Sequence, residues 1–170
     1  MNKTIFLDRD GVINKNLENY VKTTEELEIF PFISKAIKTL NDMNFKVIVI
    51  TNQSAINRGI ITHQKVDEIH QEIQNHLKNN DAFIDAFYYC PHRPDENCSC
   101  RKPKSGLFKK AISEFSIDAQ QSWMIGDKER DLIPAKKLGI KTILVGVGDS
   151  DYADTSLGSI AQASEYIIEV

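Results

Sequence analysis

Short apolar runs alternate along this chain with stretches in which apolar residues recur every three or four positions. Thr4-Ile5-Phe6-Leu7, Phe45-Lys46-Val47-Ile48-Val49-Ile50-Thr51, Trp123-Met124-Ile125 and Lys141-Thr142-Ile143-Leu144-Val145 are runs of the first kind. Their length and β-branched content read as strands buried on both faces. Ile33, Ile37 and Leu40 recur at helical spacing, as do Val66, Ile69, Ile73 and Leu77. Thr62 and Ser105 are placed to cap helices, and Gly139 to stop one running from about Leu132 to Leu138. Pro134 is expected in that helix's first turn, where its missing N–H matters least. At the tail, Ser156 to Ala163 reads as a short helix and Tyr166-Ile167-Ile168 as a last edge strand. Strand alternating with helix predicts an α/β fold, a doubly wound and mainly parallel sheet with helices on both faces. The stretch from about Tyr89 to Lys104 shows no periodicity and leaves room for no more than a small flap.

Composition narrows the class. The 170 residues suit one domain spanning 1–170, long enough to bury about 70% of the unfolded chain's surface. Net charge is −3 with no long run of one sign, so neither nucleic acid nor membrane is expected as a partner. The apolar run after Met1 is too short for a signal peptide, and a cytoplasmic monomer is expected. Trp123 is read as core. His63, His70 and His76 lie on or beside a polar helix face and are read as solvated.

Chemistry gathers where the predicted strands end. The first is followed by Asp8 and Asp10, then Gly11-Val12; the second by Thr51 and Asn52; the third by Asp127, Lys128 and Asp131. Ligands in open α/β sheets bind at the carboxyl ends of strands. Residues i and i+2 share a strand face, so Asp8 and Asp10 can meet one substrate. Two carboxylates side by side repel, and a divalent cation removes the conflict. Each set has a use if the target is a phosphate ester, whose cleavage needs positioning and charge neutralisation. Thr51 can hold the non-bridging oxygens and Lys102 can offset their charge. Asp8, Asp127 and a backbone carbonyl, that of Asp10, can hold Mg²⁺. Asp8 as nucleophile would form an aspartyl phosphate, with Asp10 protonating the leaving group and activating water. Asp131, four residues after Asp127 on one helix face, is read as supporting the metal ligands.

The three cysteines also cluster. Cys90, His92, Cys98 and Cys100 fall within eleven residues. Three thiolates and an imidazole are a ligand set for a closed, structural zinc site, expected here to staple the loop at about 89–104 and fix Arg101 and Lys102. Arg58 and Arg101 can bind a second phosphate through the guanidinium fork.

Asp8-Arg9-Asp10-Gly11-Val12, Thr51-Asn52-Gln53-Ser54, Arg101-Lys102-Pro103 and Gly126-Asp127-Lys128, in that order, resemble the four motifs of the haloacid dehalogenase superfamily. The resemblance covers about residues 3–148. It is closest to the small, nearly capless phosphatases that include heptose-bisphosphate and histidinol-phosphate phosphatases, and it implies a zinc loop at this place. It further implies a phosphorylated small-molecule sugar as substrate, with Thr51 through Gly59 and Asn14 through Val21 most like the heptose 1,7-bisphosphate branch. Contacts to that substrate are then expected from Asp8, Arg9, Asp10, Asn16, Glu18, Asn19, Tyr20, Thr51, Asn52, Gln53, Ser54, Arg58, Arg101, Lys102 and Lys128. Two departures stand out: Ala55 replaces the family's usual glycine, and Lys15 to Asn19 match loosely. Histidinol phosphate is the alternative substrate, and a non-catalytic zinc-stapled binding protein the alternative of another class.

Overall fold

The computed structural model describes residues 1–170. Its strands are β1 (Thr4–Leu7), β2 (Lys46–Asn52), β3 (Ala86–Cys90), β4 (Trp123–Gly126), β5 (Lys141–Val145) and β6 (Thr155–Leu157). They form one sheet in the order β3-β2-β1-β4-β5-β6, with every pairing parallel. The helices are α1 (Ile33–Asp42), α2 (His63–Lys78), α3 (Gly106–Phe115), α4 (Glu129–Lys137) and α5 (Ile160–Glu169).

Strand alternation divides the core into two layers. Ile5, Leu7, Val47, Val49 and Ile125 face Ile37, Leu40, Ile69, Ile73 and Ile167 of α1, α2 and α5. Phe6, Ile48, Ile50 and Met124 face Phe108, Ala111, Leu132 and Ala135 of α3 and α4 on the other side. The central strands have no solvated face, which is why they were legible as unbroken apolar runs. The chain reverses direction across the sheet between β1 and β4. Such a switch point opens a crevice beyond the carboxyl ends of the strands. Leu7 pairs with Ile125 and Val49, so Asp8 lies beside the ends of both neighbours.

Several local expectations change. β3 is a strand where none was predicted, because it is a five-residue edge strand with only Cys90 fully buried. Tyr166 to Ile168 belong to α5 and not to a strand, and Ser156 and Leu157 form β6 and not a helix start. Ile160, Ala163 and Ile167 bury one helical stripe of α5, a spacing that overrides the apolar run at its end. Pro134 is the sixth residue of α4, because that helix starts at Glu129. Thr62 caps α2 by accepting from Lys65 N at 3.2 Å, whereas Ser105 precedes α3 without a side-chain cap bond. Gly139 does end α4, at φ +79°. Ala55 is buried in the core, so its methyl points away from the crevice.

Candidate active site

Asp8 and Asp10 lie just beyond β1 and reach the crevice together. Asp8 is 5% exposed, and its Oδ1 accepts from Lys102 Nζ at 2.9 Å. Lys102 is almost fully buried: its Nζ also meets Ile50 O at 2.6 Å and Asp131 Oδ1 at 2.7 Å. Two of its donors are thereby hydrogen-bonded, to Asp8 and to the Ile50 carbonyl, and the Asp131 contact is an ion pair. The side-chain amide of Asn52 clamps the Lys102 backbone in both directions, donating to its carbonyl at 3.1 Å and accepting from its N–H at 3.0 Å. A loop lysine is thus tied to β2 and aimed at β1.

Electrostatics at this end of the sheet favour a cation. Burial and the charges of Asp131 and Asp10 push the Asp8 carboxyl up to about 6, with Lys102 opposing. Burial and Asp8 likewise raise Asp127 above the ordinary carboxylate range. For Lys102 burial works against the charge, but Asp131 and Asp8 outweigh it and hold the ammonium above the usual lysine range. Two ammoniums face three carboxylates, Lys102 on Asp8 and Asp131 and Lys128 on Asp127, and carboxylate oxygens of the three aspartates lie within 4.8 Å of one another. This donor set fits a hard divalent ion. Asp131 is fully buried with both oxygens engaged, Oδ1 by Lys102 and Oδ2 by the Lys128 N–H at 3.1 Å. Asp8 and Asp127 keep free oxygens toward the crevice. Gly11 makes this approach possible. Its φ is +88°, and a Cβ there would lie 2.3 Å from Asp127 Oδ2. Gly11→Ala should cost about 1–3 kcal/mol in thermal unfolding from backbone strain and also weaken Mg²⁺ binding measured by calorimetry.

Asp10 has different surroundings. Burial would raise its pKa, but the Arg9 guanidinium and bonds from Asn14, Arg9 and Gln53 prevail and hold it below the carboxylate range. Arg9 Nη2 forks both oxygens at 2.9 and 3.1 Å, Asn14 Nδ2 donates at 3.0 Å and Gln53 Nε2 at 2.9 Å. Gln53 also donates to Thr51 Oγ1 at 3.0 Å, which aligns the hydroxyl beside the two aspartates.

The crevice has a free volume of about 170 Å³. Asp8, Asp10, Thr51, Lys102 and Asp127 line its base, and Asn16, Tyr20, Asn52 and Ser54 line its flanks. Arg58, Arg101 and Arg130 complete it. Arg101 is partly buried, which with the nearby charges of Arg130 and Arg58 depresses its proton affinity. Three guanidiniums around one small cleft make an anion subsite.

Some expected substrate contacts are not brought together. Arg9 is 1% exposed and lies behind Asp10, and Gln53 is buried beneath Thr51; both shape the site from within. Glu18, Asn19 and Lys128 lie outside the crevice lining, the last paired with Asp127 Oδ2 at 3.3 Å. His70 is buried and not solvated. Arg130 was missed. It falls between Asp127 and Asp131 in the first turn of α4, and that position was the available signal.

The cysteine segment folds into a cluster beside this crevice. Cys100 Sγ lies 2.9 Å from Cys90 Sγ and 3.2 Å from His92 Nδ1, and Cys98 Sγ lies 3.7 Å from Cys90 Sγ. Backbone donors from Arg101 and Cys100 overcome burial and lower the Cys98 thiol to about 7. Arg101 is tied to the loop by its N–H to Cys98 Sγ at 3.4 Å and by Nη1 to His92 O at 3.2 Å.

This sheet, with paired aspartates at its central strand and a buried lysine facing them, defines a haloacid dehalogenase-type phosphate-ester hydrolase. A HAD-hydrolase-like family model matches residues 99–169. A D-glycero-beta-D-manno-heptose-1,7-bisphosphate 7-phosphatase of Haemophilus ducreyi is 35% identical, over 97% of this chain and 98% of the relative. The Helicobacter pylori enzyme of the same name is 41% identical, over 85% of this chain and 83% of its own. A crystal structure of D,D-heptose 1,7-bisphosphate phosphatase from B. bronchiseptica, complexed with magnesium and phosphate, superposes with a TM-score of 0.91. It is 29% identical and the match covers 98% of both chains. The chain belongs to the D-glycero-beta-D-manno-heptose-1,7-bisphosphate 7-phosphatase family.

Proposed function

We propose that this protein is a Mg²⁺-dependent phosphatase that removes the 7-phosphate of D-glycero-D-manno-heptose 1,7-bisphosphate, in the making of nucleotide-activated heptose for surface glycans. The observation that carries the substrate is the trio Arg58, Arg101 and Arg130 around a cleft based on Asp8 and Asp10. A bisphosphate leaves a second phosphate for them to bind, whereas histidinol phosphate would bring an ammonium toward three guanidiniums.

Asp8, Asp127 and the Asp10 carbonyl would hold Mg²⁺, which supplies neutralisation of the carboxylates and of the phosphoryl oxygens. The free oxygen of Asp8 attacks phosphorus as the bond from phosphorus to the C7 oxygen breaks, giving an aspartyl phosphate. Asp10 gives its proton to that alkoxide, and it can carry one because the phosphate dianion beside it raises its proton affinity on binding. In the second half the Arg9, Asn14 and Gln53 donors favour the anionic Asp10, which takes a proton from the water attacking phosphorus as the bond from phosphorus to the Asp8 oxygen breaks, releasing inorganic phosphate and the Asp8 carboxylate. Thr51 and Lys102 hold the phosphoryl oxygens throughout.

Cys90, His92, Cys98 and Cys100 would hold a structural Zn²⁺ with no open position for substrate. One zinc per chain is expected by elemental analysis. Stripping it with a strong chelator should lower the melting temperature and, by freeing Arg101, raise KM for the bisphosphate.

The substrate test compares kcat/KM for both anomers of the heptose 1,7-bisphosphate, fructose 1,6-bisphosphate and histidinol phosphate. The reading requires a preference for a heptose anomer of about 100-fold or more, roughly 2.7 kcal/mol. Faster turnover of histidinol phosphate would overturn the substrate and keep the mechanism. Arg130→Ala should raise KM for the bisphosphate about tenfold or more and leave a sugar monophosphate's KM unchanged, given 1.5–3 kcal/mol per charged hydrogen bond, to order of magnitude.

A further inference from the structure

α2 buries a histidine to which the phosphatase chemistry gives no role. His70 is 5% exposed, with its ring stacked on Phe87 at 4.6 Å and edge-on to Tyr89 at 5.8 Å. Its Nε2 lies 3.4 Å from Nη1 of Arg9. Arg9 is itself buried, and the other side of its guanidinium forks the Asp10 carboxylate. A guanidinium only donates hydrogen bonds. The nitrogen facing it must therefore accept, which makes the ring neutral with its proton on Nδ1. Burial and the Arg9 charge act in the same sense, pushing the imidazole down to about 3.

The consequence reaches the reacting end of the site. Arg9 supplies the only charged partner of Asp10, and its side chain is held at one edge by that carboxylate and at another by His70. Without the histidine acceptor, a buried Nη1 loses its partner, and the fork can turn to seek another. Asp10 then keeps its Asn14 and Gln53 donors but loses the charged fork that bridges its two oxygens, and its position can shift. A misplacement of the order of 1 Å in a group that transfers a proton costs about 100-fold in rate.

We propose that His70 is a positioning residue for phosphoryl transfer: as a neutral acceptor it fixes the Arg9 guanidinium and, through it, the Asp10 carboxylate. The proposal rests on the reading of Asp10 as the proton-transfer group. Space filling alone is the competing role, since an aromatic ring packed on Phe87 and Tyr89 also completes the core.

His70→Gln and His70→Leu separate the two, because glutamine can present an acceptor toward Arg9 and leucine cannot. Each variant is compared with the unmodified enzyme for melting temperature, kcat and KM on the heptose bisphosphate. The expected result is a kcat about 10- to 100-fold lower for His70→Leu with KM within about threefold, and recovery to within about threefold of the unmodified kcat for His70→Gln. Equal kcat for the leucine variant and the unmodified enzyme overturns the proposal, as does an equal loss in both variants. Absence of turnover in the unmodified enzyme would instead refute the phosphatase reading. The link to Arg9 is also read without catalysis, by ¹⁵N NMR of the imidazoles with His70 assigned from the glutamine variant. An Nδ1–H tautomer persisting at pH 7 supports it. An Nε2–H tautomer or an imidazolium overturns it, since either would set a donor against a donor.

Discussion

Asp8→Asn lowers kcat by at least about 10⁴-fold, the scale expected when a nucleophile is removed, and leaves the fold and the zinc loop standing. Asparagine keeps the shape and the acceptor oxygen that faces Lys102 but is too weak a nucleophile to take the phosphoryl group. The same change alters how stability depends on pH. In the folded, metal-free protein Asp8 is raised to about 6, from an ordinary value of 3.8, by burial and by Asp131 and Asp10. Between these values the native chain binds a proton that the unfolded chain does not, so stability falls as pH rises through the window. From pH 5 to pH 7 the loss is on the order of 1 kcal/mol. Thermal melts in EDTA should show that loss in the unmodified protein and not in Asp8→Asn. Added Mg²⁺ should raise the melting temperature more at pH 7 than at pH 5, because at the lower pH it competes with the proton. Equal pH dependence of the two proteins in EDTA would remove Asp8 as the source.

Lys102→Met carries the second large effect, on stability as well as rate. The lysine tip is in contact with Asp8, Asp131 and the Ile50 carbonyl, all at 2.9 Å or less, and is almost fully buried. Methionine fills the space and leaves two carboxylates without a counter-charge. Breaking a buried ion pair from one side costs about 3–5 kcal/mol, and urea unfolding at pH 7 should show a loss of that size. Acid should restore part of it, because protonating Asp8 relieves the repulsion. Turnover should fall together with stability, since Lys102 is the only side-chain cation that contacts Asp8 at the base of the crevice. Lys102→Arg should not rescue it: three acceptors converge on one point, which suits an ammonium and not a planar fork.

Much of this site was legible because its parts are local. Asp8 and Asp127 each follow directly on a strand and Thr51 lies at the end of one, and a parallel sheet brings strand ends together without further information. Cys90, His92, Cys98 and Cys100 are close in sequence, so their convergence needed only a short loop. What was not legible depends on contacts distant in sequence. Arg9 reads as a charged residue between two aspartates, yet its burial is set by α2, sixty residues on, where His70 receives it. The polar face assigned to His70 is one that β3 covers, and β3, an aromatic run Ala86-Phe87-Tyr88-Tyr89-Cys90 without the β-branched residues of the central strands, was not read as a strand. Arg130 carries no pattern of its own. Its place beside Arg101 follows from α4 starting one turn earlier than its apolar spacing suggests.

Double displacement through Asp8 is tested most directly by trapping the phosphoryl group. The enzyme is mixed with excess heptose 1,7-bisphosphate and Mg²⁺, quenched in acid on the millisecond scale, digested and read by mass spectrometry. The predicted result is a phosphorylated peptide with the modification on Asp8, formed and lost at rates no slower than turnover, and absent when EDTA replaces Mg²⁺. Phosphate release at full rate with no modified peptide at any time, or with the modification on another residue, would contradict it.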